Sequence, residues 1–496
     1  MGPERRRTAG WIAAAVAISV ALRAPMMFTP LNADEGGYLA IARAWAHGRV
    51  LYRDVWVDRP QGLLSLFRAW NWIAGGHTSS IRVLAMLFGA LLVMSTAVVA
   101  WRLFGQRAAR WTAVTCAVVS SAPMLEGYIP NGELLSGAVA TTGLAVAVVG
   151  VGRHHEWRWM LGAGLLAGTA LSLKQSGFDA LVAMLLWLAI TAVADPARRR
   201  WAMRAGVWLI AGCTIVLTVL VVDAAFTGWQ RWWFAVGGYR STTMSLFSDP
   251  RWPMLRRTAR YGALVLGPAL LVGVLGVAGR AVHRSPDTRQ RWPRRDLLVL
   301  LWLAAATWAF LLGGGYWRHY WLLLAAPIST LAGAAIADTR RIRLAVPALT
   351  VVPAVVASIW VFTGSSGDLP ARAASDHQAV IDHNVANWYK THRRAGDSLY
   401  VLCGGPAVYA DTDEDPPVPY LWFPEVIVGP GATEHLIAYL DRTPPTYIAQ
   451  YAAADTCDPT GQVKALLDQH YRGHTTVDGV TILSRVQPVD AEPSAQ

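Results

Sequence analysis

The sequence predicts an all-α polytopic membrane protein of about eleven transmembrane helices, followed by a C-terminal α/β or α+β domain outside the membrane. Three observations predict it. Hydrophobic residues make up 54% of the 496 and charged residues only 15%, against about 25% charged in soluble domains, and mean hydropathy is +0.32. Eleven apolar runs approach the roughly 20 residues that cross a bilayer core. The charge is also split along the chain: residues 365–496 hold 17 acidic and 8 basic side chains (−9), so with a net charge of +12 the first 364 carry +21. These features exclude a cytosolic enzyme, a disordered chain and a disulfide-built miniprotein. A basic membrane body with an acidic appended domain is a topology signal, and it gives no reason to expect a nucleic-acid partner.

The apolar runs lie near 9–28, 81–104, 109–125, 132–152, 157–173, 177–194, 203–226, 260–280, 297–313, 321–337 and 344–362. Arg5, Arg6 and Arg7 precede the first, but no small-residue cleavage site follows, so it reads as a retained helix. With the N-terminus inside, the short loops near 102–110, 153–158, 198–204, 280–296 and 338–343 and the N-terminal cluster together hold 21 Arg. The positive-inside rule chooses that orientation. It places a transmembrane domain at 1–364 in the cell membrane and a soluble extracytoplasmic domain at 365–496, starting after Gly364-Ser365-Ser366-Gly367. Trp11, Trp101, Trp111, Trp201 and Trp321 at span ends fit an interfacial belt or the general abundance of Trp, 24 in all.

Two outer segments exceed a turn. In 29–80, Tyr38, Ile41, Ala42 and Trp45 share one helical face and Leu63, Phe67, Trp70 and Ile73 another, which predicts two short helices lying in the membrane surface. Segment 227–259 is aromatic and basic, with Trp232, Trp233, Tyr239, Arg231, Arg240, Arg251, Arg256 and Arg257 against a single acid, Asp249. This exception to the charge trend reads as a site for a phosphate or anionic head group, or as a solvated loop over anionic phospholipid. In the outer domain, Ser398–Leu402 and Thr446–Ala449 read as strands, and Glu434–Leu440 and Gln462–His470 as helices. Cys403 and Cys457 share that oxidising-side domain, as a disulfide or as two thiols; Cys116 and Cys213 lie in spans.

No phosphate-cradling GxxxxGK[ST], HExxH or GxSxG motif is present. Active groups on the outer face cannot draw on cytosolic nucleotide sugars or ATP, so an activated donor has to arrive on a lipid. The acids of the membrane part, Asp34, Glu35, Asp54, Asp58, Glu126, Glu133 and Asp179, all fall at or near the outer face, and ionisable groups at that depth are functional suspects. Asp34-Glu35 opens a helical segment, where acids suit the helix dipole or one of them serves as a general base toward an acceptor hydroxyl. Asp58-Arg59-Pro60 sets an acid and a cation side by side, with Pro60 fixing the backbone. Lys174, one of only three lysines, either snorkels or binds phosphate, and Arg23 inside the first span needs an anion nearby.

The order "ADEGGYLAIARAWAHG", then "DVWVDRPQGLL", "PNGELLSGAVA", "LSLKQSG", "YWRHYWLLLAAP", "GDSLYVLCGGPAVYA" and "DRTPPTYIAQ" resembles the GT-C superfamily of membrane glycosyltransferases. The likeness is to its protein O-mannosyltransferase-like branch, which includes bacterial aminoarabinose lipid A transferases. The resemblance implies a GT-C-like helical bundle that moves a sugar from a polyprenyl phosphate to an acceptor hydroxyl, generally with inversion. It implies Asp34, beside Glu35, as the acid near the reacting hydroxyl, Glu133 as a second acid, and Asp58 as an acid that can meet a divalent metal ion; metal dependence varies across the superfamily. Arg59 stands where relatives carry a Lys on the donor phosphate, and a single Pro follows where they often have two. Arg23, Lys174, Arg240, His319 and Tyr320 complete the expected phosphate-binding set.

The function expected is therefore an integral membrane glycosyltransferase acting on a cell-envelope glycan, glycolipid or protein at the outer membrane face, in contact with membrane lipids. The alternative is a transporter or flippase for a lipid-linked sugar. Transporters place their sites near the bilayer midplane, and here the midplanes are nearly free of charge.

Overall fold

The computed structural model describes residues 2–246, 251–282, 295–338, 345–363 and 377–486. All eleven apolar runs are helical within them. They form α1 (Pro3–Arg23), α4 (Thr78–Phe104), α5 (Gln106–Ser120), α6 (Gly132–Gly150), α7 (Glu156–Leu173), α8 (Asp179–Ala194), α9 (Arg199–Thr227), α12 (Arg251–Val282), α13 (Arg295–Leu312), α14 (Ala325–Asp338, entered through a 3₁₀ turn at Arg318–Leu324) and α15 (Ala345–Phe362). Between them lie α2 (Ala33–Ala46), α3 (Gln61–Ala74), α10 (Trp229–Trp233) and α11 (Tyr239–Leu246). Seven described helices are long and apolar enough to cross a membrane: α1, α4, α6, α9, α12, α13 and the continuous Arg318–Asp338 segment; α8 and 350–362 are apolar but shorter.

Position in the bundle explains the short and less apolar members. Helix α5 begins with Gln106 and Arg107 and packs on α1, α4 and α14, where Ala108, Ala109, Ala113 and Ala117 are buried. A helix enclosed by helices does not need a lipid-facing surface. Helix α9 shows the opposite pattern: Val207, Ile210, Ile215, Val219, Val221 and Val222 are exposed along it, as a lipid-facing side requires.

The two ends of the bundle differ in chemistry. At one end the Arg-rich connections are tied by polar contacts: Arg280 bridges Asp296 at 2.7 Å and Asp338 at 2.9 Å, Trp201 donates to Glu156 at 2.7 Å, and Arg110 meets Glu4 and Thr8. Parts of the predicted Arg-rich loops, 283–294 and 339–344, lie outside the described residues, as do Asp249 and the Gly364–Gly367 junction. The opposite end carries α2, α3, α10, α11 and the C-terminal sheet region.

Of the two predicted surface helices, only α3 presents apolar residues outward, with Trp72 86% and Ile73 66% exposed. Helix α2 is not a surface helix. Its residues from Glu35 to Ala42 are buried, because the sheet region covers the side away from the bundle. A Cβ at Gly36 would run into Ala407, and one at Gly37 into the Trp422 indole, so the Gly-Gly pair is what this close approach requires.

The sheet region contains α16 (His377–His392), β1 (Leu399–Leu402), α17 (Ala407–Thr412), α18 (Phe423–Val428), α19 (Ala432–Arg442), β2 (Tyr447–Gln450), α20 (Ala454–Cys457), α21 (Gln462–His470), β3 (Tyr471–Val477) and β4 (Val480–Arg485). Its mixed sheet runs β1-β2-β4-β3. Strands β1 and β2 are parallel, and β4 pairs antiparallel with both β2 and β3. The predicted strands and helices are present, and the sequence reading missed the hairpin that turns at Asp478-Gly479. Cys403 and Cys457 are joined as a disulfide, linking the loop after β1 to α20. The first outer loop docks on this region through Trp56, whose amide donates to the Pro419 carbonyl at 2.9 Å and whose ring meets Tyr239 and Tyr420 at centroid distances of 5.0 and 5.5 Å.

Candidate active site

The first turn of α2 separates the neighbours Asp34 and Glu35. Asn32 is the N-cap; its side chain accepts from the Glu35 amide at 2.9 Å, and Glu35 accepts from the Asn32 amide at 3.2 Å. This capping box closes two of the helix's free N–H groups. The fully buried Glu35 carboxylate also pairs with Arg82 at 2.8 Å. Glu35 is thus held by the helix start and by α4, which corrects its assignment as a catalytic acid. Asp34, one residue earlier on the turn, is only partly buried. Its charge acts on Arg59, Tyr38 and Glu425.

A cation cluster lies beside α2. Asp58 pairs with Arg59 on one oxygen and with Arg240, at 2.8 Å, on the other. Burial works against the charge on Asp58, but the two guanidinium groups outweigh it and hold the carboxyl below the usual carboxylate range. The segment is fixed from several sides. Tyr52 donates to the Arg59 carbonyl at 2.7 Å, and Gln175 donates to the carbonyls of Asp58 at 3.0 Å and Val236 at 3.1 Å. Gln175 therefore ties the first outer loop to the segment before α11. Arg240 also donates to the Gly313 carbonyl at 2.9 Å and approaches the Tyr320 hydroxyl at 3.4 Å.

The second half of the site joins α6, α7 and the start of the Arg318–Asp338 segment. Lys174, at the C-terminal end of α7, is buried and paired with Glu133 in the first turn of α6; its ammonium lies 4.7 Å from the centre of the Tyr320 ring. His319 contacts Glu126 at 2.5 Å through Nδ1 and lies 3.8 Å from Glu133 through Nε2. Each central carboxylate, Asp58 and Glu133, is therefore shared by two basic groups. A cavity of about 180 Å³ opens among Lys174, Gln175, Phe178, Arg240, Gly313 and Tyr320. Positive groups around such a space favour an anion.

The structure separates Arg23 from this set, which corrects its assignment to the donor phosphate. The guanidinium is buried between α1 and the end of α5, donating to the carbonyls of Gly127 at 2.7 Å, Ser120 at 2.9 Å and Ser19 at 3.1 Å and to the Ser19 and Ser121 hydroxyls. Neutral oxygens satisfy it, so it needs no anion. Asp58 is likewise a poor metal ligand here, since the two guanidinium groups on its oxygens would repel a divalent cation. Among the described residues, no three His, Cys, Asp or Glu side chains gather in a metal-holding group.

The sequence reading recorded Glu126 as an outer-face acid without seeing that it would hold His319. Its backbone is left-handed, with φ +56°, in the turn that brings it to the His. Tyr38 was read only as part of a surface-helix face, Gln175, Trp422 and Glu425 were not singled out, and for the last two no local signal existed. Glu425 lies in α18, 4% exposed, with one carboxyl oxygen unpartnered. Burial and then the charge of Asp58 push its carboxyl well above the usual range.

Residues 58–224, from Asp58 through α9, match the dolichyl-phosphate-mannose-protein mannosyltransferase family. That stretch is about a third of the chain, and its likeness is to a family of membrane glycosyltransferases. The chain's whole fold is similar to that of ArnT from Cupriavidus metallidurans bound to undecaprenyl phosphate, at 15% identity and TM-score 0.60, covering 96% of this chain and 98% of that one. The apo state of ArnT aligns with TM-score 0.58 at 14% identity over the same 96% and 98%. The Archaeoglobus fulgidus oligosaccharyltransferase, solved tethered to an acceptor peptide, aligns at 15% identity and TM-score 0.56 over 97% of this chain and 75% of that one. No curated protein sequence matches the chain significantly. The family match includes Asp58, Arg59, Glu133 and Lys174 and stops short of Arg240, His319 and Tyr320.

Proposed function

We propose that the protein transfers a sugar from a polyprenyl phosphate to a hydroxyl of a cell-envelope acceptor, with inversion, on the outer face of the cell membrane. The observation that carries this reading is the convergence of Arg240, Lys174 and Tyr320 on one cavity at the bundle end that bears Asp34. In this reading eleven spans set the N-terminus inside, 1–364 is the membrane domain, and 365–496 is the outer one. The opposed Arg-rich end of the bundle supports that orientation.

The roles follow from charge and position. Arg59, Arg240 and Lys174 hold the donor phosphate, with Tyr320 beside them. Asp34 takes the proton of the acceptor hydroxyl as its oxygen bonds to the anomeric carbon. The bond from that carbon to the phosphate oxygen breaks, and the polyprenyl phosphate leaves with one more negative charge. The fixed cations stabilise this charge without reorganising at the moment of reaction. Glu133 holds Lys174 and His319 in place; Asp58 aligns the two guanidinium groups. A glycosyl phosphate already has a fair leaving group, so positioning and charge neutralisation supply most of what is needed.

The test is transfer in reconstituted membranes from synthetic polyprenyl phosphate sugars to isolated cell-envelope glycans, glycolipids and proteins. Turnover with the lipid donor and none with soluble nucleotide sugars is the expected result. Turnover with a nucleotide sugar as sole donor would overturn it.

A further inference from the structure

The cation cluster accounts for the phosphate and Asp34 for the acceptor proton, but neither reads the sugar between them. Two buried polar groups have no use in the mechanism so far, and both come from the sheet region. Glu425 is 4% exposed with an unpartnered carboxyl oxygen. Trp422, three residues earlier on the N-cap of α18, has its indole N–H buried and also unpartnered. Buried polar atoms without partners are uncommon and costly. Two of them this close in sequence mark a place that expects polar atoms from elsewhere.

Their location is fixed by packing on all sides. The Trp422 ring lies 5.9 Å from that of Tyr38 in α2 and against Gly37, and the Arg59 guanidinium lies 6.0 Å from the same Tyr38 ring. Helix α18 packs on α11, which carries Arg240. Arg59 has its own Nε buried and unpartnered. Trp422 and Arg59 thus meet the same Tyr38 ring, and the helix of Glu425 packs on the helix of Arg240, so the pair sits beside the phosphate-binding segment.

We propose that Trp422 and Glu425 form the hydroxyl-binding wall for the donor sugar, which rests on the donor reading above. The class of ligand is a polyhydroxylated carbohydrate attached directly to phosphate. Ring hydroxyls both donate and accept hydrogen bonds, and sugar C–H faces pack on aromatic rings, so an indole N–H beside a carboxyl group matches both needs. A charged carboxylate here would repel the donor phosphate. Burial and Asp58 favour the neutral acid, which donates and accepts without that repulsion. The acceptor is the less suitable occupant, because the wall borders the segment that holds the phosphate to which the donor sugar is bonded.

The experiment uses the full-length purified protein in lipid nanodiscs. The probes are decaprenyl phosphate and a panel of decaprenyl phosphates carrying mannose, glucose, galactose, arabinose or ribose, with affinities from ligand-induced thermal stabilisation. Wild type is expected to bind at least one glycosylated lipid about tenfold or more tighter than the bare one, the loss expected when a buried hydrogen-bonding group goes unmatched. Glu425→Ala should abolish that preference and leave affinity for decaprenyl phosphate unchanged, Glu425→Gln should keep it within about threefold, and Trp422→Phe should lose most of it while keeping the ring. Any of three results overturns the proposal: no preference in wild type, a preference that survives Glu425→Ala, or an equal loss for the bare lipid. Preferential binding without turnover would sink the transferase reading and leave this wall standing.

Discussion

Two ion-pair groups pack around α2, and they behave differently. Beneath α2, Glu35 and Arg82 form a sealed pair with side chains 0% and 2% exposed. Beside α2, Asp58 is shared by Arg59 and Arg240, and Arg240 keeps 30% of its side chain open toward the cavity it lines. A sealed pair spends its electrostatics on the fold, whereas shared carboxylates beside an open cation can reorganise their attraction around an incoming anion. Burial of charge therefore does not mark the site by itself; access to it does.

The largest expected effect tests the acid next to Glu35 on the first turn of α2. Asp34→Asn should lower transfer by about 10²- to 10⁴-fold while insertion, thermal stability and donor binding stay near wild type. Steady-state transfer from a polyprenyl phosphate sugar measures it, and an Asn variant above about a tenth of wild-type turnover would remove Asp34 as the base.

Breaking the sealed pair should have the reverse signature. Arg82→Met leaves the Glu35 carboxylate buried without its guanidinium, a loss that typically costs about 3–5 kcal/mol, so thermal unfolding should come much earlier, with donor KM unchanged in the protein that survives. A raised donor KM at normal stability would erase the distinction between the two regions.

Lys174 should combine both signatures, because it pairs with Glu133 and lines the cavity. Lys174→Met should reduce stability and donor use together. The double variant Lys174→Met/Glu133→Gln should regain much of the stability, since no charge is left unpaired, without regaining transfer. Comparing melting temperatures and donor KM for wild type, single and double variants checks this; a double variant with restored transfer would remove Lys174 from the phosphate.

The smallest effect concerns pH. The folded pKa of Glu425 is raised above its ordinary value of 4.5, so its contribution to stability is fully present below that value and is lost as pH rises through the folded pKa. Wild type should lose stability over that alkaline-going range, and Glu425→Gln should lose less. Parallel melting curves for the two proteins from pH 4 upward would contradict the neutral-acid assignment.

The membrane body was legible in the sequence because lipid imposes a local rule: each crossing needs its own apolar run and internally bonded backbone, and each run can be read without knowing its neighbours. Asp34, Asp58, Glu133 and Lys174 stood out for a similar reason, as charges rare against an apolar background. Which charges face each other could not be read. Asp34 and Glu35 are adjacent letters, and only the capping box with Asn32 and the approach of Arg82 send Glu35 inward. Arg23 looked like a phosphate ligand until the carbonyls of Gly127 and Ser120 closed around it. Glu425 is 367 residues from Asp58, and nothing local to α18 announces that the sheet region packs the helix of this buried acid on α11, which carries Arg240. Composition and periodicity act within a span or a turn, so the sequence alone determined the helices, their charged ends and the mixed character of the tail. Only the packing of distant segments decided the pairing of charges and the covering of α2, because ion-pair and hydrogen-bond energies depend on separations that the chain order does not contain.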